Sequence, residues 1–153
     1  MKLLLLVVGK MRSSALTDVC ADYVKRMQRF GPMEIKEVKA STRSDVREGS
    51  EEECERLEKA LEPSDKLIVL DERGAQITSV QLAGWLSRYE RENAKRLVFA
   101  LGGAYGLTDA FRARGVLLGL SKLTLPHELC RALMAEQLYR ARTIQNGLPY
   151  HHV

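Results

Sequence analysis

Residues 97–106 read LVFALGGAYG. The apolar run Leu97 to Leu101 has the length and composition of a strand buried on both faces. It leads straight into Gly102-Gly103, with a third glycine at Gly106. A missing Cβ lets backbone N–H and C=O groups approach a flat ligand closely. Glycine loops after strands often cradle phosphates. This one, however, is not G-x-G-x-x-G, and it lies two-thirds of the way along the chain rather than after the first strand. The segment after the first apolar run, GKMRSS (9–14), is neither a dinucleotide fingerprint nor a Walker loop. A ligand gripped without a phosphate loop is one reading. A tight strand-to-helix turn explains the glycines alone equally well.

Strand-length apolar runs recur on either side of this stretch, with helical spacing between them. KLLLLVV (2–8) predicts a buried strand, and residues 14–30 carry Leu16, Val19, Cys20, Tyr23, Val24 and Met27 at helical intervals. MEIKEV (33–38) alternates as an edge strand with one wet face does. The polar and acidic stretch 41–55 predicts a mobile loop leading into a solvated helix that ends near Leu61. KLIVLD (66–71), a helix over 79–91, RLVFAL (96–101), a short helix near 107–113 and GVLLGL (115–120) follow. Pro126 opens a last helix that runs to about Asn146, where Gly147 and Pro149 stop it. The alternation predicts an α/β fold, a mainly parallel sheet with helices on both faces, as a single domain over 1–153. Apolar residues surround much of the last helix, from Leu129 to Ile144. That width calls for a second partner besides the sheet, and another copy of the chain is the simplest one.

Composition limits the function classes. The 153 residues suit one core, and 45% apolar with 29% charged residues is a globular profile. The apolar start, Leu3 to Val8, is short for a secretion signal and is followed at once by Lys10 and Arg12, so it reads as a strand. No run is long enough to span a bilayer. Cys20, Cys54 and Cys130 are widely spaced and form no metal-binding pattern, which points to reduced thiols in the cytoplasm and no metal. Residues 101–153 hold 6 basic and 3 acidic side chains together with all three histidines, a bias compatible with a polyanionic partner.

Two further stretches are informative. In LGLSKLTLPHELCRALMAEQLYRA (118–141), Ser121, Lys122 and Thr124 interrupt an apolar context just after a strand, where open α/β sheets bind ligands. An ordinary βα connection gives the same pattern. The tail GLPYHHV (147–153) is either a frayed end or a flap that brings a titratable group to a pocket.

Taken in this order, the motifs GG-x-x-G (102–106), LSKLTLPHELCR (120–131), EQLYRA (136–141) and PYH (149–151) resemble the ribosomal large-subunit methyltransferase H (RlmH) family of the SPOUT class. VGK (8–10) and LDERG (70–74) fit as well, so the resemblance covers nearly the whole chain. It implies a homodimer with a C-terminal trefoil knot. The implied reaction transfers a methyl group from S-adenosyl-L-methionine to N3 of a pseudouridine in 23S large-subunit ribosomal RNA; the small chain, with little spare surface, adds the expectation that it reads the shape of assembled ribosomes. The resemblance also implies that cofactor is held by Leu70, Gly102, Gly103, Gly106 and the loop Leu120, Ser121, Lys122, Leu123, Thr124, Leu125. Nitrogen attacks well only after losing its proton, so a cationic environment is required; Arg142, Tyr150 and His151 are the expected catalytic set. The rival expectation is a non-catalytic ligand- or RNA-binding dimer of the same fold. A flavin or nicotinamide oxidoreductase is disfavoured by the missing phosphate loop.

Overall fold

Continuous apolar strands need cover on both faces, and the observed elements supply it. A computed structural model describes residues 1–152, with Val153 outside the described residues. The elements are β1 (Lys2–Val8), α1 (Ser14–Met27), β2 (Met33–Val38), α2 (Val46–Ala60), β3 (Lys66–Ala75), α3 (Ser79–Arg91), β4 (Arg96–Leu101), α4 (Asp109–Arg112), β5 (Val116–Leu118) and α5 (His127–Gln145). The sheet has the order β2-β1-β4-β3-β5 with every pairing parallel. All strands therefore end at one edge, and the loops that follow them gather there.

Side chains alternate across the sheet. Leu3, Leu5 and Val7 pack with Met27, Leu86, Met134 and Leu138 on the face covered by α1, α3 and α5. Leu4, Leu6 and Val8 pack with Cys54, Leu57 and Phe111 under α2 and α4. Each such burial contributes about 1.5–3 kcal/mol, which is why β1 tolerates no polar residue between Leu3 and Val8. β2 is an edge strand as its alternation requires, with Met33 buried and Glu34 exposed on a bond to Lys2.

Two expectations need correction. The acidic stretch 41–55 is not mainly loop: α2 starts at Val46, capped by the Asp45 side chain on the Glu48 N–H. Gly49, Ser50, Glu53, Cys54 and Leu57 fall on one helical face and are buried. That stripe is built largely from small and polar residues, so it carries little hydrophobic periodicity in sequence. The second correction concerns α5. Its broad apolar girth is covered within the chain, by α1 along one flank, α3 along the other and β1 beneath. Leu129 stays 42% exposed, but the helix does not by itself require another copy.

Beyond Leu70 the parallel pairing of β3 with β5 resumes after a register shift, with Ala75 opposite Leu118. Gly119 donates its N–H to the Ala75 carbonyl at 3.0 Å. A Cβ on Gly74 would lie 2.5 Å from the Leu118 backbone, so only glycine permits that approach.

Candidate active site at the carboxyl edge of the sheet

A cavity of about 250 Å³ opens where β3, β4 and β5 end. Leu70 and Asp71 line it from β3, Gly102, Gly103 and Gly106 from the loop after β4, and Leu120, Ser121, Leu123, Thr124 and Leu125 from the loop after β5. Lys122 belongs to the same loop but is exposed and outside the lining. His127 and Cys130, on the first turn of α5, close one side. Leu123 is 76% exposed at the lip, an apolar side chain that a bound ligand would cover.

The glycine loop rests on α2. Tyr105 lies over Gly49, where a Cβ would come within 2.8 Å of its ring. Ser50 Oγ donates to the Gly106 carbonyl at 3.2 Å, and the Thr108 N–H reaches Cys54 Sγ at 3.4 Å. Gly106 has φ +74°, a left-handed turn suited to glycine. A Cβ on Gly102 would meet Leu107 Cγ at 2.9 Å, and one on Gly103 would meet both Glu53 Oε2 and Val8 Cγ1 at 2.9 Å. The bare backbone edge facing the cavity is therefore imposed by crowding behind it.

Glu53 was not among the residues expected from sequence. It is 2% exposed; Oε1 accepts the Ser41 N–H at 2.9 Å, while Oε2 has no partner. Burial pushes its carboxyl above the ordinary carboxylate range, against the Ser41 bond and nearby Arg56. In the cavity wall itself, Asp71 accepts Arg112 Nε at 2.6 Å. Burial acts to raise the Asp71 carboxyl, but the Arg112 bond and the Arg73 N–H outweigh it and hold it below the usual range. Glu53 comes from α2 and Arg112 from α4, and sheet order together with helix packing brings one behind the glycine loop and the other to the cavity wall.

The expected catalytic set is not assembled as one group. Tyr150 packs edge-on to Tyr139 with centroids 4.9 Å apart, and its hydroxyl donates to Glu136 Oε1 at 3.0 Å. Its oxygen also lies 3.2 Å from Tyr23 Oη. Burial and then these bonds raise the phenol far above its ordinary value, so Tyr150 remains neutral. His151 Nδ1 is 3.4 Å from Arg140 Nη1, and the Arg140 guanidinium sits 4.8 Å from the centroid of the Tyr150 ring. Arg142 lies elsewhere, 5% exposed and bound to Glu90 of α3 and to Gln145. Adjacent turns of a helix face different neighbours, and position 140 faces the tail while 142 faces α3. The arginine beside the tail is thus Arg140, held by Glu136 at 2.6 Å. None of these groups lines the cavity: Glu136 is nine residues beyond His127, or roughly 13 Å along the helix axis.

The residues around the cavity fit S-adenosyl-L-methionine. Leucines and bare backbone suit an adenine face, and the glycine-bared loop backbone lies along the cavity to meet its edge, although Gly106 itself is bonded to Gly103 and Ser50. Among the described residues, no group of three or more His, Cys, Asp or Glu side chains is placed to hold a metal ion.

The model of a family described as "Predicted SPOUT methyltransferase" matches residues 1–151. The chain belongs to the SPOUT methyltransferases. A "Ribosomal RNA large subunit methyltransferase H" from Pelobacter propionicus is 44% identical over 152 residues, covering 99% of this chain and all of the relative. A protein of the same name from Gloeobacter violaceus is 40% identical over 153 residues, covering 99% of both chains. Among solved structures, a probable methyltransferase from Bordetella pertussis aligns at TM-score 0.55 and 17% identity, covering 92% of this chain and 95% of that one. A probable methylase family protein from Haemophilus influenzae aligns at TM-score 0.55 and 15% identity, over 95% of this chain and 66% of that one. The fold is thus shared with these two proteins even where little sequence remains in common.

Proposed function

We propose that this SPOUT protein, as one domain over 1–153, transfers a methyl group from S-adenosyl-L-methionine to N3 of a pseudouridine in 23S ribosomal RNA, on assembled ribosomes in the cytoplasm. The observation that carries the reading is the cavity at the ends of β3, β4 and β5, lined by the glycines and by the 120–125 loop. The full-length similarity to large-subunit methyltransferases H supports the choice of RNA. Membership of the SPOUT methyltransferases supports a C-terminal trefoil knot.

When bound, the cofactor supplies a methyl group already activated by positive sulfur, so the protein's work is alignment and charge control. Leu70, Gly102, Gly103, Gly106 and the 120–125 loop orient it, the loop contributing through the backbone at Lys122 and through side chains elsewhere. The pyrimidine N3 must give up its proton before its lone pair forms the new N–C bond, and solvent takes that proton. His151 and the neutral Tyr150 hydroxyl hold the base as its charge develops, with Arg140 as their neighbouring cation; Arg142 supports α5 from the α3 side. Because a chain's own tail docks well down α5, the tail of a second copy completes the site in a homodimer.

Calorimetric titration with S-adenosyl-L-methionine, followed by a radiolabelled methyl-transfer assay on ribosomes lacking the modification, tests the reading. Binding and transfer are expected. Binding without transfer would establish the non-catalytic alternative, and no binding would remove the cofactor assignment. Intact ribosomes should be methylated far faster than a naked RNA hairpin, and sedimentation at micromolar concentration should give a dimer.

A further inference from the structure

The carboxyl edge of the sheet has a charge arrangement that the cavity does not explain. The loops after β1 and β2 lie side by side: the Gly9 N–H donates to the Val38 carbonyl at 2.8 Å, and Gly9 faces Ala40. The carboxylates next to these loops are each bonded within the fold, with Glu37 exposed and Glu52 and Glu128 half-buried. Glu37 accepts the Met11 N–H at 2.9 Å and Nη1 of the buried Arg131 at 3.3 Å. Glu128, on the first turn of α5, accepts the N–H groups of Arg12 at 2.9 Å and Ser13 at 3.1 Å. Glu52 is taken up by Ser41 Oγ and by Arg56 at 2.7 Å. Each anion is thus engaged with backbone, a hydroxyl or an arginine of the fold.

The cations of the same loops point outward. Lys10, Arg12 and Lys39 are exposed, as is Lys122 across the mouth of the cavity, and none has a carboxylate partner among the described residues. Most other arginines of the chain are in ion pairs, including Arg73, Arg96, Arg112 and Arg140. Lys10, Arg12 and Lys39 therefore form a row of exposed cations without ion-pair partners among the described residues, along the loops after β1 and β2, on the same carboxyl edge as the cavity but outside its lining. The β3 side differs, because Glu72 lines the cavity there and is exposed.

We infer that Lys10, Arg12 and Lys39 form a docking surface for the phosphate backbone of the RNA that presents its base to the cavity, approaching over β1 and β2 rather than over β3. Phosphates suit such a row because free lysine and arginine side chains on flexible rims neutralise backbone charge without reading sequence, while release of counterions drives association. Arg131 sets the geometry. At 1% exposure its Nη2 donates to the Val8 carbonyl at 2.6 Å, and with Glu37 it ties the end of β1 to α5. The cationic loop is thus attached to the helix that carries His127. The inference rests on the methyltransferase reading and specifies which surface meets its substrate.

The test compares the full-length protein with the variant Lys10→Ala/Arg12→Ala/Lys39→Ala. A control, Lys66→Ala/Lys95→Ala, removes two charges from the opposite edge of the sheet. Affinity for S-adenosyl-L-methionine should be unchanged in both, which also shows that both are folded. For the triple variant, KM for unmodified ribosomes should rise about tenfold or more at physiological salt. The slope of log affinity against log salt should fall by about 0.7 for each phosphate that the protein no longer neutralises. The charge-conserving Lys10→Arg/Arg12→Lys/Lys39→Arg should restore both. Unchanged KM and slope, or equal losses in the control, would overturn the inference. So would a triple variant that binds deproteinised ribosomal RNA at low salt as the unaltered protein does while failing on ribosomes, since the surface would then read a ribosomal protein. If the unaltered protein methylates nothing, the functional reading fails separately, and RNA retention by the variants still judges the surface.

Discussion

Gly103 shows how one missing methyl group shapes the site. Its Cα rests against the side chains of Val8 and Glu53, neither of which can move away easily. Val8 is fully buried in β1, and Glu53 is tied to Ser41. Gly103→Ala should therefore displace the loop rather than its neighbours. The expected cost is about 1–3 kcal/mol of stability, with weaker binding of S-adenosyl-L-methionine, read by denaturant melts and calorimetry. Unaltered melting and affinity would show that the crowding behind the loop is unimportant. At the tail, Tyr150→Phe keeps the ring on Tyr139 and beneath Arg140 but deletes the hydroxyl that bonds Glu136. Stability should fall by about 1 kcal/mol. Methyl transfer should fall by a larger factor than the small change in folded fraction explains; a proportionate loss would make Tyr150 structural only.

Among the elements, α2 is the one whose role changed most between sequence and structure. Its composition is that of a solvated helix. Its buried stripe of Gly49, Ser50, Glu53 and Cys54 nevertheless carries the glycine loop. The positions of those residues are legible in sequence, but their burial is not, because hydrophobic patterning registers only apolar stripes. The helix is started by Asp45, whose carboxylate accepts the Glu48 N–H at 2.8 Å. Asp45→Ala should cost about 1 kcal/mol and loosen the first turn, where Gly49 meets Tyr105. Cofactor affinity should weaken with it, whereas an unchanged titration would separate the loop from the helix start. The long apolar circumference of α5 carries a related lesson. Periodicity counts buried faces but cannot say whether α1, α3 or a second copy buries them.

Across the whole molecule, carboxylates of opposite character set the acid limb of stability. Asp65, with its side chain 3% exposed, is raised by burial but lowered more by its bonds from Arg96 at 2.7 and 2.5 Å and from the Glu62 N–H. A carboxyl lowered in the folded state adds stability above its unfolded value of about 4, and that stability is lost as pH falls through the folded value. Glu53 is raised, so its sign is opposite: on acidification the native form takes up that proton first and gains. Stability should thus hold from pH 7 to about 4 and then decline. Asp65→Asn should cost about 3 kcal/mol at neutral pH, with its gap to the unaltered protein closing in acid. A gap independent of pH would assign the loss to packing.

The order of strands and helices, the two-sided cover of β1 and the location of the glycine loop were all determined by local pattern, because burial of alternate side chains selects strand and helix periods residue by residue. The linked motifs from Gly102 to His151 also named the family. Tertiary structure alone decided that Arg140 rather than Arg142 meets His151, that Glu53 stands behind Gly103, and that the tail lies apart from its own cavity. Those facts depend on which side chains the sheet order and helix packing bring together across dozens of residues, and no period in the sequence records that.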